Sequence, residues 1–274
     1  MKISAVCVVA GLLLAIAGCS GGDGEEQQPL TWEEFQDQAY QEPNGAYVID
    51  GDTPARNLDE LHQYYLAYLD SFDRDGIGSS QNALAVNTVG GADDLWPNGS
   101  TLTYCVAASG SQAFSAGEYS AVVGAMGSAA ADWSASANVG LVHDSSQDGA
   151  CDAFNPNVAF DVGRVCSGAF LARAFFPSFP RSSRNILIDC TSFGPIPPWT
   201  LTGVLRHEIG HTIGFRHEHT RPESGTCFED NNWRPLTGYD SSSVMHYPQC
   251  NGTQGGDLVL TDTDRAGANS VYPF

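Results

Sequence analysis

The chain has 274 residues and a formal net charge of −20, and Lys2 is its one lysine. So acidic a surface repels phosphate backbones and anionic headgroups, which excludes nucleic acid and anionic membrane surfaces as partners. The charge is uneven: Ser20–Pro97 carries sixteen acids against Arg56 and Arg74, whereas Asn98–Phe274 carries sixteen acids against nine arginines. A boundary near Trp96-Pro97 therefore separates a strongly acidic front segment from a more balanced domain.

Residues 1–19 read MKISAVCVVAGLLLAIAGC. Lys2 is a positive n-region, and the apolar run Ile3–Ala17 is short for a membrane span. The end, Ile16-Ala17-Gly18-Cys19, resembles a bacterial lipobox. That resemblance implies a diacylated Cys19 as the new N-terminus, with the following SGGDGEEQQP as a soluble tether. A plain secretory signal is the alternative. Ser20 after the cysteine leans, by resemblance to sorting signals, toward the outer membrane or cell surface.

Beyond Cys19, six cysteines remain: Cys105, Cys151, Cys166, Cys190, Cys227 and Cys250. In an exported domain they allow up to three disulfides. No pair has C-x-x-C spacing, so a cysteine zinc site is not expected. Cys227–Cys250 is the favoured pair and Cys151–Cys166 the second.

Leu30–Tyr40 and Asn57–Phe72 have helical periodicity, with a strand-like Tyr47-Val48-Ile49 between them. Arg74–Gly91 is polar and turn-rich and reads as a linker. Thr101–Ala107 alternates as a strand. Ser115–Ser134 reads as a long helix of small residues, with Ser115 and Glu118 as a capping box. Val139–His143, Asn157–Val162, Gly168–Phe176 and Asn185–Asp189 are strand candidates, and Pro198–Phe215 is helical. This order predicts an α/β (α+β) fold: a twisted, mostly parallel sheet with two main helices and a loop-rich C-terminal part.

Four of the seven histidines fall within Leu205–Glu223, LRHEIGHTIGFRHEHTRPE. His207-Glu208-Ile209-Gly210-His211 is H-E-x-x-H, and on a helix positions i and i+4 share one face, so both imidazoles can meet one metal ion. Glu208 is offset from that face, where it can reach a metal-bound water as a general base without being a ligand. The pattern extends to HExxHxxGxxH. Gly214 permits a sharp helix exit that returns His217 to the same ion. Three imidazoles with the fourth position open to water make a catalytic zinc arrangement, with one ion. His219 reads as a local hydrogen-bonding residue.

Downstream, Ser243–Tyr247 reads SVMHY. With the long zinc motif this resembles the metzincin metallopeptidases, whose HExxHxxGxxH precedes a Met-turn. The resemblance implies Met245 as the floor beneath the metal. GFRHEHTRPE and SVMHY are similar to the astacin branch, which implies Tyr247 as a retractable zinc ligand that stabilises the oxyanion. There Glu218 would contact the mature N-terminus. GAFLARAFFP and LTDTDRAGANSVYP resemble the edge strand and closing helix of the matrixin branch, and the HEIGH wording resembles the bacterial dual-action HEIGH metallopeptidases. Arg173 stands where matrixins have a histidine for a structural zinc, so a second zinc is not expected. In astacin-type propeptides a Gly-Asp after a short apolar run replaces the zinc-bound water. Gly51-Asp52 in YVIDGDT resembles that element, with Asp50 the competitor for the same role.

These readings give residues 1–19 as a lipoprotein signal, 20–97 as acidic tether and propeptide, and 98–274 as the catalytic domain. The expected protein is an exported, monomeric, lipid-anchored zinc endopeptidase made as a zymogen. Protein or peptide substrates would lie antiparallel along Gly168–Ala174. The alternative is a surface-anchored adhesion or binding lipoprotein that keeps zinc for structure. Glu208 separates the two, since a structural site needs no base.

Overall fold

Thr31 opens the first helix, α1 (Trp32–Gln38). Its hydroxyl accepts from the Glu34 amide, and Glu34 reaches back to the Thr31 amide. The chain then makes a small antiparallel meander, β1 (Tyr40–Gln41), β2 (Tyr47–Ile49) and β3 (Thr53–Ala55), followed by α2 (Leu58–Phe72). Tyr47, Ile49, Ala55 and Leu61 form the buried centre of this front unit, closed by Trp32, Phe35 and Tyr64. The described part of the acidic segment from Trp32 to Tyr64 is thus a packed unit. The computed structural model describes residues 29–72, 84–227 and 229–274, so Cys19 and the tether lie outside the described residues. Among the described residues, no helix is long and apolar enough to cross a membrane.

Part of the expected linker is a strand. β4 (Ala85–Val89) pairs with β5 (Ala92–Asp93) and, antiparallel, with Phe215–Arg216 and Trp233–Pro235 from far downstream. Leu84, Ala85 and Val86 are fully buried. The short run Ala83–Val86 alternates in neither helical nor strand fashion, and only its distant partners make it a strand.

The main sheet contains β6 (Thr101–Val106), β7 (Gly140–His143), β8 (Phe160–Val165), β9 (Ala172–Arg173) and β10 (Asn185–Asp189), in the order β7-β6-β8-β10-β9. All neighbours are parallel except the edge strand β9, which runs antiparallel to β10. Of the expected Gly168–Phe176 strand, only Ala172 and Arg173 join the ladder. Helix α3 (Ala116–Ser134) starts at the Ser115–Glu118 capping box. Its small buried residues Ala125, Ala129 and Ala130 let it pack closely against the sheet and α4 (Leu201–Thr212). Trp133 at its end is fully buried, and its indole donates to the Arg206 carbonyl at 2.7 Å. The chain then runs through β11 (Phe215–Arg216) and β12 (Trp233–Pro235) into loops, and ends with α5 (Asp262–Val271).

Cys227 is bonded to Cys250. Cys151, however, is bonded to Cys105 on β6, with Cα atoms 5.6 Å apart, and not to Cys166. Cys166 is nearer in sequence, but Cys105 lies level with Asp161 at the start of β8, whereas Cys166 follows the end of that strand.

Candidate metal centre

The donor cluster begins with how α4 ends. Residues Gly203–Thr212 of this helix are all buried, and His207 and His211 sit one turn apart on one face. Ile213 caps the helix, and Gly214 turns the chain with φ of 100°. A Cβ at Gly214 would also overlap the Asp94 carbonyl, so glycine is required twice over. The reversal feeds β11 and returns His217. The Nε2 atom of His207 then lies 3.2 Å from that of His211 and 3.1 Å from that of His217.

The outward Nδ1 of each ring is held. His207 donates to the Val244 carbonyl at 2.7 Å and His211 to the Phe215 carbonyl at 2.8 Å. His217 Nδ1 meets the Glu229 carboxylate. Carbonyls only accept, so Nδ1 carries the proton in His207 and His211, and their Nε2 lone pairs face the common centre.

Asp52 of the front unit enters that centre. Its Oδ2 is 3.2 Å from His207 Nε2 and 3.7 Å from His211 Nε2, and its Oδ1 is 3.1 Å from His217 Nε2. Burial would raise the Asp52 carboxyl, but the charge of the His217 imidazolium and its hydrogen bond hold it well below the usual range. Burial would likewise lower His217, yet Asp52 and Glu229 push it up to about 10. Glu229 is also paired with the buried Arg216 guanidinium at 2.7 Å. Three imidazole Nε2 atoms and one carboxylate within reach of one another are a donor set that suits zinc.

Glu208 lies beside the centre rather than in it. It is buried, its Oε2 has no hydrogen-bond partner, and burial followed by the charge of Asp52 pushes its carboxyl well above the ordinary value. It lines a cavity of about 160 Å3 together with His207, Tyr247, Asp52, Leu171 and Ala172. The Tyr247 ring stacks on His207 with centroids 5.4 Å apart and tilts over His217 at 4.6 Å. Met245 is fully buried against Gly210, where a Cβ would overlap its sulfur. The adjoining turn is tied to α5, since Ser243 Oγ and the Val244 amide donate to Asp264 at 2.6 and 2.9 Å. Its Met245 carbonyl accepts the Glu218 amide at 2.8 Å.

His219 has a local role. Its Nδ1 accepts the Tyr247 amide at 3.2 Å, and its Nε2 lies 3.3 Å from Glu229. It also belongs to a second, overlapping donor group with His217 and Glu229. Glu218 is fully buried and accepts from Arg221 and the Asp240 amide, and burial raises its carboxyl to about 8. Asp50 is exposed, with φ of 54°. Arg173 is buried and pairs with Glu42 of the front unit through contacts of 2.7 and 2.8 Å. Three participants escaped the sequence reading. Glu229 sits in a loop with no motif, and the Glu42–Arg173 pair spans 131 positions. Asp264 had one usable signal, as the third residue after the Thr261 cap.

No protein-family model matches the chain. It is 32% identical over 80 residues to the zinc metalloproteinase nas-30 of Caenorhabditis elegans, covering 22% of this chain and 11% of that protein. It is 36% identical over 64 residues to a bone morphogenetic protein 1 homolog of Strongylocentrotus purpuratus, covering 16% and 10%. The chain thus spans only about a tenth of the length of these two relatives. Among solved structures, myroilysin overlays with a TM-score of 0.48 at 18% identity, covering 69% of this chain and 98% of that one. The hatching enzyme HCE-1 of Oryzias latipes, a zinc protease, overlays at 0.42 and 18% identity, covering 65% and 94%. Over these short stretches the chain is thus similar to zinc metalloproteinases, and its buried histidine cluster could hold a metal ion.

Proposed function

We propose that this chain is a zinc-dependent endopeptidase, exported, anchored through a lipid on Cys19 and made as a latent precursor. The observation that carries this reading is the Asp52 carboxylate seated among three imidazole Nε2 atoms, beside a Glu208 oxygen with no partner. A structural zinc site has no use for an uncommitted buried carboxylate, whereas a hydrolytic one needs it as a base.

Zinc bound by His207, His211 and His217 would supply a Lewis acid that acidifies a water and polarises the scissile carbonyl. Glu208 takes the proton from the attacking water and delivers it to the leaving amine. The Tyr247 hydroxyl donates to the developing oxyanion. Met245 and Asp264 keep the turn below in register. The outer edge of β9 offers main-chain groups to an extended peptide, which fits protein or peptide substrates bound antiparallel along Gly168–Ala174. The catalytic unit works as a monomer, at the outer membrane or cell surface.

Latency follows from the front unit. Asp52 occupies the position the water would need, and Glu42–Arg173 and Val48 on Phe170 and Leu187 hold the unit in place. The part lost on activation ends before Leu84 rather than at Pro97, because β4 is built into the sheet with β11 and β12.

The test is digestion of a proteome-derived peptide library with the activated protein, with and without chelator. Glu208→Ala accompanies it, with zinc content measured on the same sample. The expected outcome is chelator-sensitive cleavage by wild type, and a zinc-loaded but inactive variant. Full activity in Glu208→Ala would overturn the mechanism.

A further inference from the structure

Arg173 lies on the edge strand β9 opposite Leu187 of β10, and Asn185 is two positions before Leu187. Opposed residues, and alternate residues of one strand, share a face of the sheet, so these three side chains point the same way. Theirs is the face turned from α3 and α4. Ala172, Ala174, Ile186 and Ile188 enter the main core, whereas Leu187 packs with Val48 of the front unit. Asn185 holds one end of the guanidinium, its side-chain oxygen and its carbonyl both accepting from Nη1. The fork of Nε and Nη2 is left to donate to the two Glu42 oxygens, at 2.7 and 2.8 Å. Glu42 is the one ion-pair partner of Arg173 among the described residues. Asp161, which lies opposite Asn185, is committed to Arg181 at 2.6 Å. Loss of the front unit therefore removes the counter-charge and leaves the group that orients the fork.

We propose that Arg173 is a specificity residue that takes an acidic side chain of the substrate, and that Glu42 is the stand-in for that side chain in the precursor. The assignment to substrate rests on the endopeptidase reading. An extended peptide added to the free edge of β9 continues the ladder, so its residue opposite Arg173 projects on the same face as the fork. In an antiparallel peptide that residue comes immediately before the one opposite Ala172, and Ala172 lines the cavity shared with His207 and Glu208. The selected acid thus has a fixed place close to the cut. A guanidinium fork meets both oxygens of a carboxylate, whereas an amide offers it one acceptor, so Glu or Asp gains over Gln or Asn. The chain's net charge of −20 repels acidic peptides as a whole. A preference for an acid at one position therefore arises from contact and not from long-range attraction.

The experiment digests a proteome-derived peptide library with activated wild type and with activated Glu42→Gln/Arg173→Gln. The paired substitution leaves no lone buried charge in the precursor, and removal of the front segment leaves Arg173→Gln as the one difference. Wild type should enrich Glu or Asp at a single position near the cut. Matched peptides with Glu or Gln there should differ about tenfold in kcat/KM, and the ratio should fall to about one in the variant. Chelator-sensitive cleavage with no acidic position, or an acidic preference that survives in the variant, overturns the proposal while the endopeptidase reading stands. No cleavage at all sinks the endopeptidase reading and the substrate assignment with it. The fork is also read without catalysis, in the intact precursor carrying Glu42→Ala. Acetate should raise its Tm above that in chloride of equal ionic strength, and should not do so in Glu42→Ala/Arg173→Gln. Equal responses of the two variants overturn the carboxylate-binding fork itself.

Discussion

Replacing Asp52 by alanine should switch the precursor on without any cut in its chain. The Asp52 side chain is 4% exposed and its two oxygens contact all three histidines of the cluster. Breaking a buried charge pair by removing one partner costs about 3–5 kcal/mol. The rest of the front unit keeps its anchors, the Glu42–Arg173 pair and the Val48 contact, so it stays docked with its central group missing. Taking the lower end, and about 1.4 kcal/mol per decade, the uncut variant should be roughly a hundredfold more active than the uncut wild type. The control is Asp50→Asn, which removes the competing carboxylate while asparagine tolerates the φ of 54° at that position. The assay is the initial rate on a quenched peptide, with the intact mass of the enzyme checked before and after. If uncut Asp52→Ala is as silent as wild type, yet fully active once its front segment is removed, the aspartate does not enforce latency.

Tyr247→Phe keeps the ring stacked on His207 and removes only the hydroxyl, so kcat should fall about 10–1000-fold with KM less affected; an unchanged kcat would reduce Tyr247 to packing. Glu42→Gln leaves the buried Arg173 guanidinium without its counter-charge and should destabilise the precursor by about 3 kcal/mol in urea unfolding, with no effect on protein whose front segment has been removed. Gly210→Ala places a methyl where Met245 and Trp133 already sit, and should lower stability by about 1–3 kcal/mol; a melt identical to wild type would mean that the Met-turn yields freely. Zinc added to chelator-treated activated protein should raise Tm, by about 2.7 kcal/mol of stabilisation at a hundred times Kd; Glu208→Ala should show the same rise, and His211→Ala should lose it.

The donor residues were legible in the sequence because their spacing is local. His207 and His211 meet because a helix repeats every 3.6 residues, and His217 returns because Gly214 can turn where other residues cannot. The same holds for the capped helices α1 and α3, whose start signals lie within four residues. What the tertiary structure alone decided involves partners far apart in the chain. β4 is a strand because Phe215 and Trp233 supply its neighbours. Cys151 reaches Cys105 because β6 and the loop after β7 end at the same edge of the sheet, a proximity that cysteine spacing does not encode. Glu229 behind His217, Asp264 under the Met-turn and Glu42 on Arg173 are buried carboxylates whose partners lie 12, 20 and 131 positions away. Periodicity and capping report only on the nearest turn of chain, whereas a buried charge is satisfied by whichever segment the fold brings against it.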